Sequence, residues 1–165
     1  MIKEIDKSEI AECVSVIRKS FQTVADEFGF TIENAPRFTA FATTEERLFY
    51  QLEIEHRLLV AYYDDDGDGR ILGYYSLMLL DNSECELSNL CVLPEFRHKK
   101  IGEALLDDAM SRVRNKECKK MKLGIVEENK RIRACYEKHG FTHTHTVKYD
   151  YFPFTCGYME RELIS

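Results

Sequence analysis

Residues 90–106, which read LCVLPEFRHKKIGEALL, are the segment of the chain that decides the fold. An apolar strand ends before Pro94, a short basic loop follows, and an amphipathic helix begins at Ile101. The first N–H groups of a helix have no intrahelical acceptor and carry partial positive charge, and Gly102 lets an anion come close to the backbone. The pattern predicts a phosphate or diphosphate site, although a basic loop before a helix can also be a plain connector.

The same segment excludes two common phosphate-binding loops. It contains neither the G-x-x-x-x-G-K-[ST] pattern of P-loop proteins nor the G-x-G-x-x-G pattern of dinucleotide-binding domains. A kinase and a dehydrogenase are therefore disfavoured. Further lysines follow between positions 116 and 122, and this local positive charge fits either a phosphate-bearing ligand or a solvated basic face.

Hydrophobic periodicity and turn residues predict the elements around this loop. Strands over residues 84–93 and 121–126, joined by a helix over 101–117, need a right-handed crossover and should be parallel. The other predicted elements are helices over residues 6–28, 43–52 and 129–140, a hairpin over 57–80, and strands over 141–149 and 156–163. This order predicts an α/β (mixed α+β) fold, with a mostly antiparallel sheet of about six to seven strands and helices on both faces.

Length and composition bound the class of protein. The chain has 165 residues, a net charge of −6 and a pI near 5.4, which predict one domain over residues 1–165 and argue against nucleic acid as a partner. The longest apolar run, residues 71–80, is too short to cross a bilayer, and the first residues lack the apolar core of a signal peptide. We therefore expect no membrane partner and a cytoplasmic location.

Thiols and histidines give no metal site. The six cysteines form no C-x-x-C pair and are expected to be buried free thiols. Residues 64–69 read DDDGDG like the start of a calcium loop, but the closing glutamate is missing, so a hairpin turn is the better interpretation. His143 and His145 share a face of a predicted strand without a further ligand, so they are expected to be half-buried or to line an acceptor pocket.

Two signatures of the chain resemble the GNAT superfamily of N-acetyltransferases. The family's pyrophosphate loop reads Q/R-x-x-G-x-G/A, and Arg97-His98-Lys99-Lys100-Ile101-Gly102 matches its first and last defined positions. The second signature is matched at the right spacing by Asn129, Ile132, Cys135-Tyr136 and Gly140-Phe141. Together the two cover residues 84–141, and the order of elements extends the likeness more loosely to the whole chain. Lys100 replaces the first loop glycine, where a negative φ would suit lysine and a positive φ would strain it.

The resemblance implies direct attack of a primary amine on acetyl-CoA, the acetyl donor, without a metal or an acyl-enzyme. It implies that the loop binds the pyrophosphate, that the preceding strand pairs with the pantetheine arm, and that a backbone N–H near Leu90 polarises the thioester carbonyl. Asn129 is expected to contact the arm from the other side. The cofactor-binding residues predicted in this way are Leu90, Cys91, Val92, Arg97, His98, Lys99, Lys100, Ile101, Gly102, Glu103, Ala104 and Asn129.

Two residues are candidates for proton transfer. The resemblance places Tyr136 where the family's tyrosine faces the sulfur, so it is expected to protonate the leaving thiolate, although a tyrosine on an apolar helix face can simply pack. Glu86 lies where some family members carry a glutamate base, Glu84 on the same face is the substitute, and a surface carboxylate is the alternative. Asn129 can equally be a helix N-cap. Cys91 and Cys135 are expected to be buried, inert thiols.

The predicted acceptor is a small-molecule or peptide amine. Aromatic residues after the first helix and near the C-terminus either cover the sheet or wall the acceptor pocket; they are Phe28, Phe30, Phe38, Phe41 and Phe152-Pro153-Phe154. Transfer of another acyl group is one alternative function, and acyl-CoA sensing without turnover, motivated by Lys100, is another. A homodimer is the remaining expectation.

Overall fold

The computed structural model describes residues 1–65 and 69–163, so the predicted turn over residues 64–69 lies partly outside the described residues. The helices are α1 (Ile10–Phe28), α2 (Thr39–Ala42), α3 (Glu45–Glu53), α4 (Ile101–Arg114) and α5 (Lys130–Lys138). The strands are β1 (Ile2–Glu4), β2 (Leu58–Tyr63), β3 (Ile71–Leu79), β4 (Glu84–Val92), β5 (Lys120–Val126), β6 (Thr142–Val147) and β7 (Cys156–Glu162). Short 3-10 turns lie at Lys7–Glu9 and Pro94–Phe96.

Local sequence signals set the helix boundaries. Residues 6–9 read DKSE, a sequence pattern that predicts a capping box, and the box is present: the Asp6 carboxylate accepts the Ser8 N–H at 3.0 Å and the Glu9 carboxylate accepts the Asp6 N–H at 2.8 Å. The Thr44 hydroxyl accepts a first-turn N–H of α3 at 3.1 Å. Gly29 ends α1 in the left-handed conformation with a φ of 73°, as expected of a C-terminal glycine.

The described strands form one sheet in the order β1-β2-β3-β4-β5-β7-β6. The β4–β5 pair is parallel, with α4 as its crossover, and the other neighbouring pairs are antiparallel. The predicted mixed, mostly antiparallel sheet is therefore confirmed. The periodicity did not predict β1, since its three residues are too few to show alternation.

Helices pack on both faces of the sheet, as predicted. Gly73 and Tyr75 of β3 face α4, where a Cβ on Gly73 would lie 2.8 Å from a leucine methyl and the Tyr75 hydroxyl donates to Asp108 at 2.6 Å. Tyr74 points to the opposite face, toward α1 and the Cys13 thiol, because successive strand residues alternate. The main core therefore fills the space between the sheet and these two helices.

Two burial predictions are wrong. The pattern places Phe49 on the buried face of α3, but Leu48 and Gln51 take that face and Phe49 is 46% exposed. Cys135 is exposed because its neighbour Tyr136 points inward from α5 and adjacent helix residues face different directions. The remaining thiols are free as predicted, with Cys156 partly buried and four fully buried, namely Cys13, Cys85, Cys91 and Cys118.

A second, smaller core joins the end of α1, the α2 region and the β6–β7 connection. Phe30 contacts Phe38 and Phe154 with ring centroids 5.1 Å and 4.9 Å apart, and all three side chains are buried. Phe152 stacks on Phe154 at 4.6 Å and remains partly exposed. The aromatic residues therefore pack mainly against one another, and only the margin of the cluster is open.

Candidate active site

A split in the sheet separates β4 from β5. The two strands pair only over Glu84–Glu86 and Lys120–Lys122; beyond this point β4 continues beside β3, and β5 continues beside β7. A strand points its N–H and C=O groups alternately to its two sides, so part of the backbone over residues 87–92 faces the opening. An extended ligand can therefore add to β4 there as a neighbouring strand would.

A β-bulge interrupts β4 along the split. The register with β3 shifts between Tyr74 and Ser76, so one residue of β3 stands opposite two of β4, Asn89 and Leu90. Asn89 takes the left-handed conformation with a φ of 57°. Bulges disrupt the ladder locally and are common next to active sites. This bulge lies at the residue whose N–H is predicted to polarise the thioester carbonyl.

The basic loop over residues 97–100 opens directly onto α4. In a helix that begins at Ile101, the amides of residues 101–103 have no intrahelical acceptor, whereas the Ala104 N–H donates to the Lys100 carbonyl at 3.1 Å. The side chains of residues 98–100 are exposed. Three amides at the first turn are thus free to contact an anion, and the predicted Ala104 amide is already used.

Two residues of the loop have unfavourable backbone conformations. Lys100 and His98 are left-handed, with φ of 64° and 66°. Of the two alternatives for position 100, the structure has the positive φ that strains a lysine, and the left-handed conformation costs each of the two residues roughly 1–2 kcal/mol. Lys100 has the conformation for which glycine is preferred, because glycine lacks the Cβ that causes the clash.

Arg97 fastens the loop to the rest of the protein. Its guanidinium donates to the Val92 carbonyl at 3.2 Å, to the Thr23 hydroxyl at 3.0 Å and to the Ser20 carbonyl at 2.9 Å. Two of these acceptors belong to α1, so this helix supports the loop. The Arg97 N–H also donates, to the Pro94 carbonyl at 3.4 Å, so both its guanidinium and its amide are used within the protein.

Tyr136 lies on the inner side of α5. It is 7% exposed and packs edge-on against Phe141 with ring centroids 5.4 Å apart, so its ring does pack. Within the described residues its hydroxyl has no hydrogen-bond partner, and it is not among the fully enclosed polar atoms, so it borders open space. Burial raises the pKa of this phenol above its usual range, which keeps the hydroxyl protonated at neutral pH.

The Cys91 thiol lies close to both Tyr136 and Arg97. Burial raises its pKa to about 12, although a contact with Ser20 and the charge of Arg97 act in the opposite direction. Only the thiolate is a good nucleophile. Cys91 is therefore the inert buried thiol that the sequence predicts.

Asn129 caps α5, since its side-chain oxygen accepts the Ile132 N–H at 3.3 Å. The capping alternative is therefore confirmed, and the NH₂ group of the same side chain is not used by this bond. Just before it, Glu127 contacts Arg133 at 3.3 Å and His143 Nε2 at 2.9 Å. These contacts tie the start of α5 to β6 and explain the half-buried His143.

The two candidate bases differ in their contacts. The Glu84 carboxylate lies 2.8 Å from the Lys122 ammonium, and this hydrogen bond lowers the pKa of Glu84. Glu86 accepts from the Ser88 hydroxyl at 3.4 Å and has no ion pair within the described part of the chain. A carboxylate stabilised by a lysine is the weaker base. Glu86 is therefore the better candidate.

A groove of about 380 Å³ adjoins Glu86, and sequence reasoning missed most of its lining. Lys122, Tyr158 and Glu160 line it from β5 and β7. These residues come beside Glu86 only through strand pairing. The one sequence feature that could have indicated them is the alternation of exposed and buried positions along each strand. A concavity of about 630 Å³ lies on α3 around Phe49, with none of the predicted site residues in its lining.

Among the residues described, no group of three or more His, Cys, Asp or Glu side chains could hold a metal ion. None of the described helices combines the length and apolarity needed to span a membrane.

A split sheet, a bulged strand beside the split and a basic loop that leads into a helix together indicate one class of protein. A model of the acetyltransferase (GNAT) family matches residues 27–141. This match covers well over half of the chain, and the chain therefore belongs to the GNAT family.

Several known proteins are similar to this chain in sequence or in fold. The chain is similar to a mycothiol acetyltransferase from Beutenbergia cavernae, with 37% identity over 78 residues that cover 47% of the chain and 26% of that protein. It therefore matches about a quarter of that relative's length. PaiA N-acetyltransferase from Thermoplasma acidophilum, solved in complex with coenzyme A, shares the fold with a TM-score of 0.83, 20% identity and 98% coverage of both chains. The Escherichia coli ribosomal-protein-S18-alanine N-acetyltransferase gives a TM-score of 0.76, 14% identity and coverage of 100% and 94%.

Proposed function

We propose that the chain is an N-acetyltransferase that transfers the acetyl group of acetyl-CoA to a primary amine, with residues 1–165 acting as one domain. One observation carries the proposal: the open edge of β4 leads directly to the basic loop at the start of α4. An extended arm suits the strand edge, and a diphosphate suits the helix N-terminus. Membership of the GNAT family supports the same function.

The donor-binding residues fit these two features. The free amides of residues 101–103 would contact the diphosphate, and the exposed Lys99 and Lys100 would add positive charge beside it. The backbone of residues 90–92 would pair with the arm. The NH₂ group of Asn129 remains after capping and would donate to the arm from the other side of the split. At Gly102 a Cβ would meet only Val92, at 3.8 Å, so the protein side leaves room there.

Three chemical tasks fall to named residues. Glu86 accepts the proton of the incoming ammonium, directly or through water, because an alkylamine with a pKa of about 10.4 must be neutral to attack. The Leu90 N–H donates to the carbonyl oxygen as negative charge develops there. Once the C–N bond has formed, Tyr136 gives its proton to the sulfur as the C–S bond breaks. The nitrogen then releases its second proton to solvent, which leaves the neutral amide, and solvent returns a proton to the phenolate.

Release of the coenzyme A thiol from acetyl-CoA, measured over a panel of amines and peptides, tests this proposal. We expect turnover, and we expect Tyr136→Phe to lower kcat about 100-fold without changing the KM for acetyl-CoA, because the hydroxyl acts only as the C–S bond breaks. Tyr50→Phe on the exposed surface of α3 is the matched control and should keep wild-type kinetics. Unchanged kinetics for Tyr136→Phe would remove its role as the acid.

Other outcomes would replace the proposal. Turnover with succinyl-CoA or propionyl-CoA but not with acetyl-CoA would identify a different acyl group. Calorimetric binding of acetyl-CoA without thiol release from any amine would make the chain an acyl-CoA sensor, the function to which the strained Lys100 points. No heat with coenzyme A or acetyl-CoA, from demonstrably folded protein, would remove the donor site.

The proposal also covers the cellular location, the class of acceptor and the oligomeric state of the enzyme. We propose a cytoplasmic enzyme whose substrate is a small-molecule or peptide amine rather than a nucleic acid, which a net charge of −6 supports. The homodimer stays a prediction, and size-exclusion chromatography with light scattering would test it.

A further inference from the structure

The groove beside Glu86 deepens the proposed function, on which this inference rests. It opens next to the last paired residues of β4 and β5, where the split begins. Leu87 pairs with Leu77, and Leu77 shares the α4 side of β3 with Tyr75, so Glu86 points to the opposite face of the sheet. The groove is therefore reached from the face opposite α4, whose N-terminus is the proposed diphosphate site.

Carboxylates dominate the charge of this groove. Lys122 lies 2.8 Å from Glu84, and Lys120, outside the lining, lies 4.0 Å from Glu84 and 3.5 Å from one carboxylate oxygen of Glu160. Glu86 accepts from the Ser88 hydroxyl at 3.4 Å and has no ion pair within the described residues, so two lysines balance the three carboxylates of Glu84, Glu86 and Glu160 only in part. An excess of carboxylates around the groove favours a cationic ligand and disfavours an anionic one.

An aromatic wall faces these charges. The Tyr158 and Tyr149 hydroxyls are hydrogen-bonded to each other at 2.8 Å, and the His145 ring stacks on Tyr158 with centroids 4.8 Å apart. Burial raises the pKa of Tyr158, so its phenol stays neutral. Neutral aromatic rings give an alkyl chain an apolar surface and attract a cation placed over their faces.

The two carboxylates of the groove stand in one row across the sheet. Glu86 pairs with Lys122, and Lys122 pairs with Glu160 on β7. Neighbouring strands lie about 4.8 Å apart, so Glu86 and Glu160 stand roughly 10 Å apart along the row. This spacing suits a chain with a positive group at each end.

We propose that this groove binds the acceptor, and that the acceptor is an alkylamine without a carboxylate, bound more tightly when it carries a second positive charge. The reacting nitrogen lies at Glu86, the alkyl chain follows Tyr158 and Tyr149, and the second cation lies at Glu160. A free amino acid carries a carboxylate beside its amine, which Glu86 repels. Amino acids are therefore poor acceptors.

Three amines of equal chain length test this selectivity: diaminopentane, aminopentanol and aminopentanoate end in an ammonium, a hydroxyl and a carboxylate. We expect kcat/KM for thiol release from acetyl-CoA to fall by about fivefold or more at each step in that order, the effect of one partly exposed ion pair. Equal kcat/KM for the three amines, or the reverse order, would overturn the inference while leaving the acetyltransferase proposal intact.

Two matched variants test whether Glu160 is the residue that produces the preference for a second positive charge. Glu160→Gln should abolish the preference, so that kcat/KM for diaminopentane is no longer higher than kcat/KM for aminopentanol. Glu162→Gln, the next residue on the same face of β7 and outside the groove lining, should keep the wild-type preference. If no amine is acetylated, the proposed function fails, and calorimetry with the same three amines decides the inference. Binding in the same order, lost in Glu160→Gln, supports the cation site, and equal or absent binding overturns it.

Discussion

The strained backbone at Lys100 gives a prediction whose sign can be tested. Lys100 has a φ of 64° and a ψ of 16°, which is the left-handed region, and Lys99 beside it is not among the residues with positive φ. Both side chains are exposed. Four variants separate backbone strain from loss of charge: Lys100→Gly, Lys100→Ala, Lys99→Gly and Lys99→Ala. Each pair removes the same charge, so glycine and alanine at one position differ only in backbone behaviour.

The magnitude follows from two opposing contributions. A residue with a Cβ pays about 1–2 kcal/mol in the left-handed conformation. Glycine avoids this cost but loses about 0.4–1 kcal/mol relative to alanine, because its unfolded chain has more freedom. At position 100 glycine should therefore be the more stable variant by about 0.5–1 kcal/mol, and at position 99, where no strain is relieved, alanine should be the more stable by about 0.4–1 kcal/mol.

Urea unfolding followed by circular dichroism measures these differences, provided that the slope of stability against urea is the same for all four variants. In thermal unfolding, 1 kcal/mol corresponds to about 2–4 °C for a chain of this size. The decisive result is the inversion of the glycine–alanine order between the two positions. If alanine is at least as stable as glycine at position 100, the loop does not hold that residue in the left-handed conformation and the reasoning is refuted.

Two further predictions concern stability. Gly73→Ala should lower the free energy of unfolding by about 1–3 kcal/mol, because the new Cβ would lie 2.8 Å from Leu105 Cδ1 and 3.0 Å from the Cys91 carbonyl oxygen. Urea unfolding measures this loss. Gly102→Ala is the control, since its new Cβ would lie 3.8 Å from the nearest atom, and an equal or larger loss in that variant would contradict the prediction. Asn129→Ala should lower the free energy of unfolding by about 1 kcal/mol through loss of the α5 cap, whereas Asn129→Asp retains a capping oxygen and should stay close to the wild type. Thermal unfolding of both variants checks this. An unchanged midpoint for Asn129→Ala would show that the cap contributes nothing to stability.

Local patterns predicted the elements around the loop well. Pro94, the basic residues and Gly102 mark a strand end, a loop and a helix start within residues 90–106, and β4 and α4 lie where this pattern puts them. The capping box at Asp6 and the glycine at position 29 succeeded for the same reason, whereas before α3 only the Thr44 cap is present and not a full capping box. A cap or a C-terminal glycine depends on hydrogen bonds between residues a few positions apart, which a sequence displays directly.

Distant contacts decided what the sequence left open. Arg97 is predicted as part of the diphosphate loop, and only the folded protein shows that its guanidinium donates to Ser20 and Thr23, which lie 77 and 74 positions earlier in the chain. The left-handed φ of Lys100 results from joining β4 to α4 in the folded protein, since isolated lysine avoids that conformation. Glu84 and Glu86 are equivalent by strand alternation, and only the folded structure shows that Lys122, which stands opposite Glu86 in the β4–β5 pair, directs its ammonium to Glu84.

The sequence alone therefore determined the order of the elements, the resemblance to the GNAT family and the residues that flank the donor loop, because each depends on short-range periodicity, turn chemistry and motif spacing. The tertiary structure alone decided which side chains are free to act. Sheet order and register bring Glu86, Lys122 and Glu160 into one row, and burial sets the protonation of Tyr136 and Cys91. The physical reason is that charge compensation and desolvation depend on neighbours in space, which the linear order does not specify.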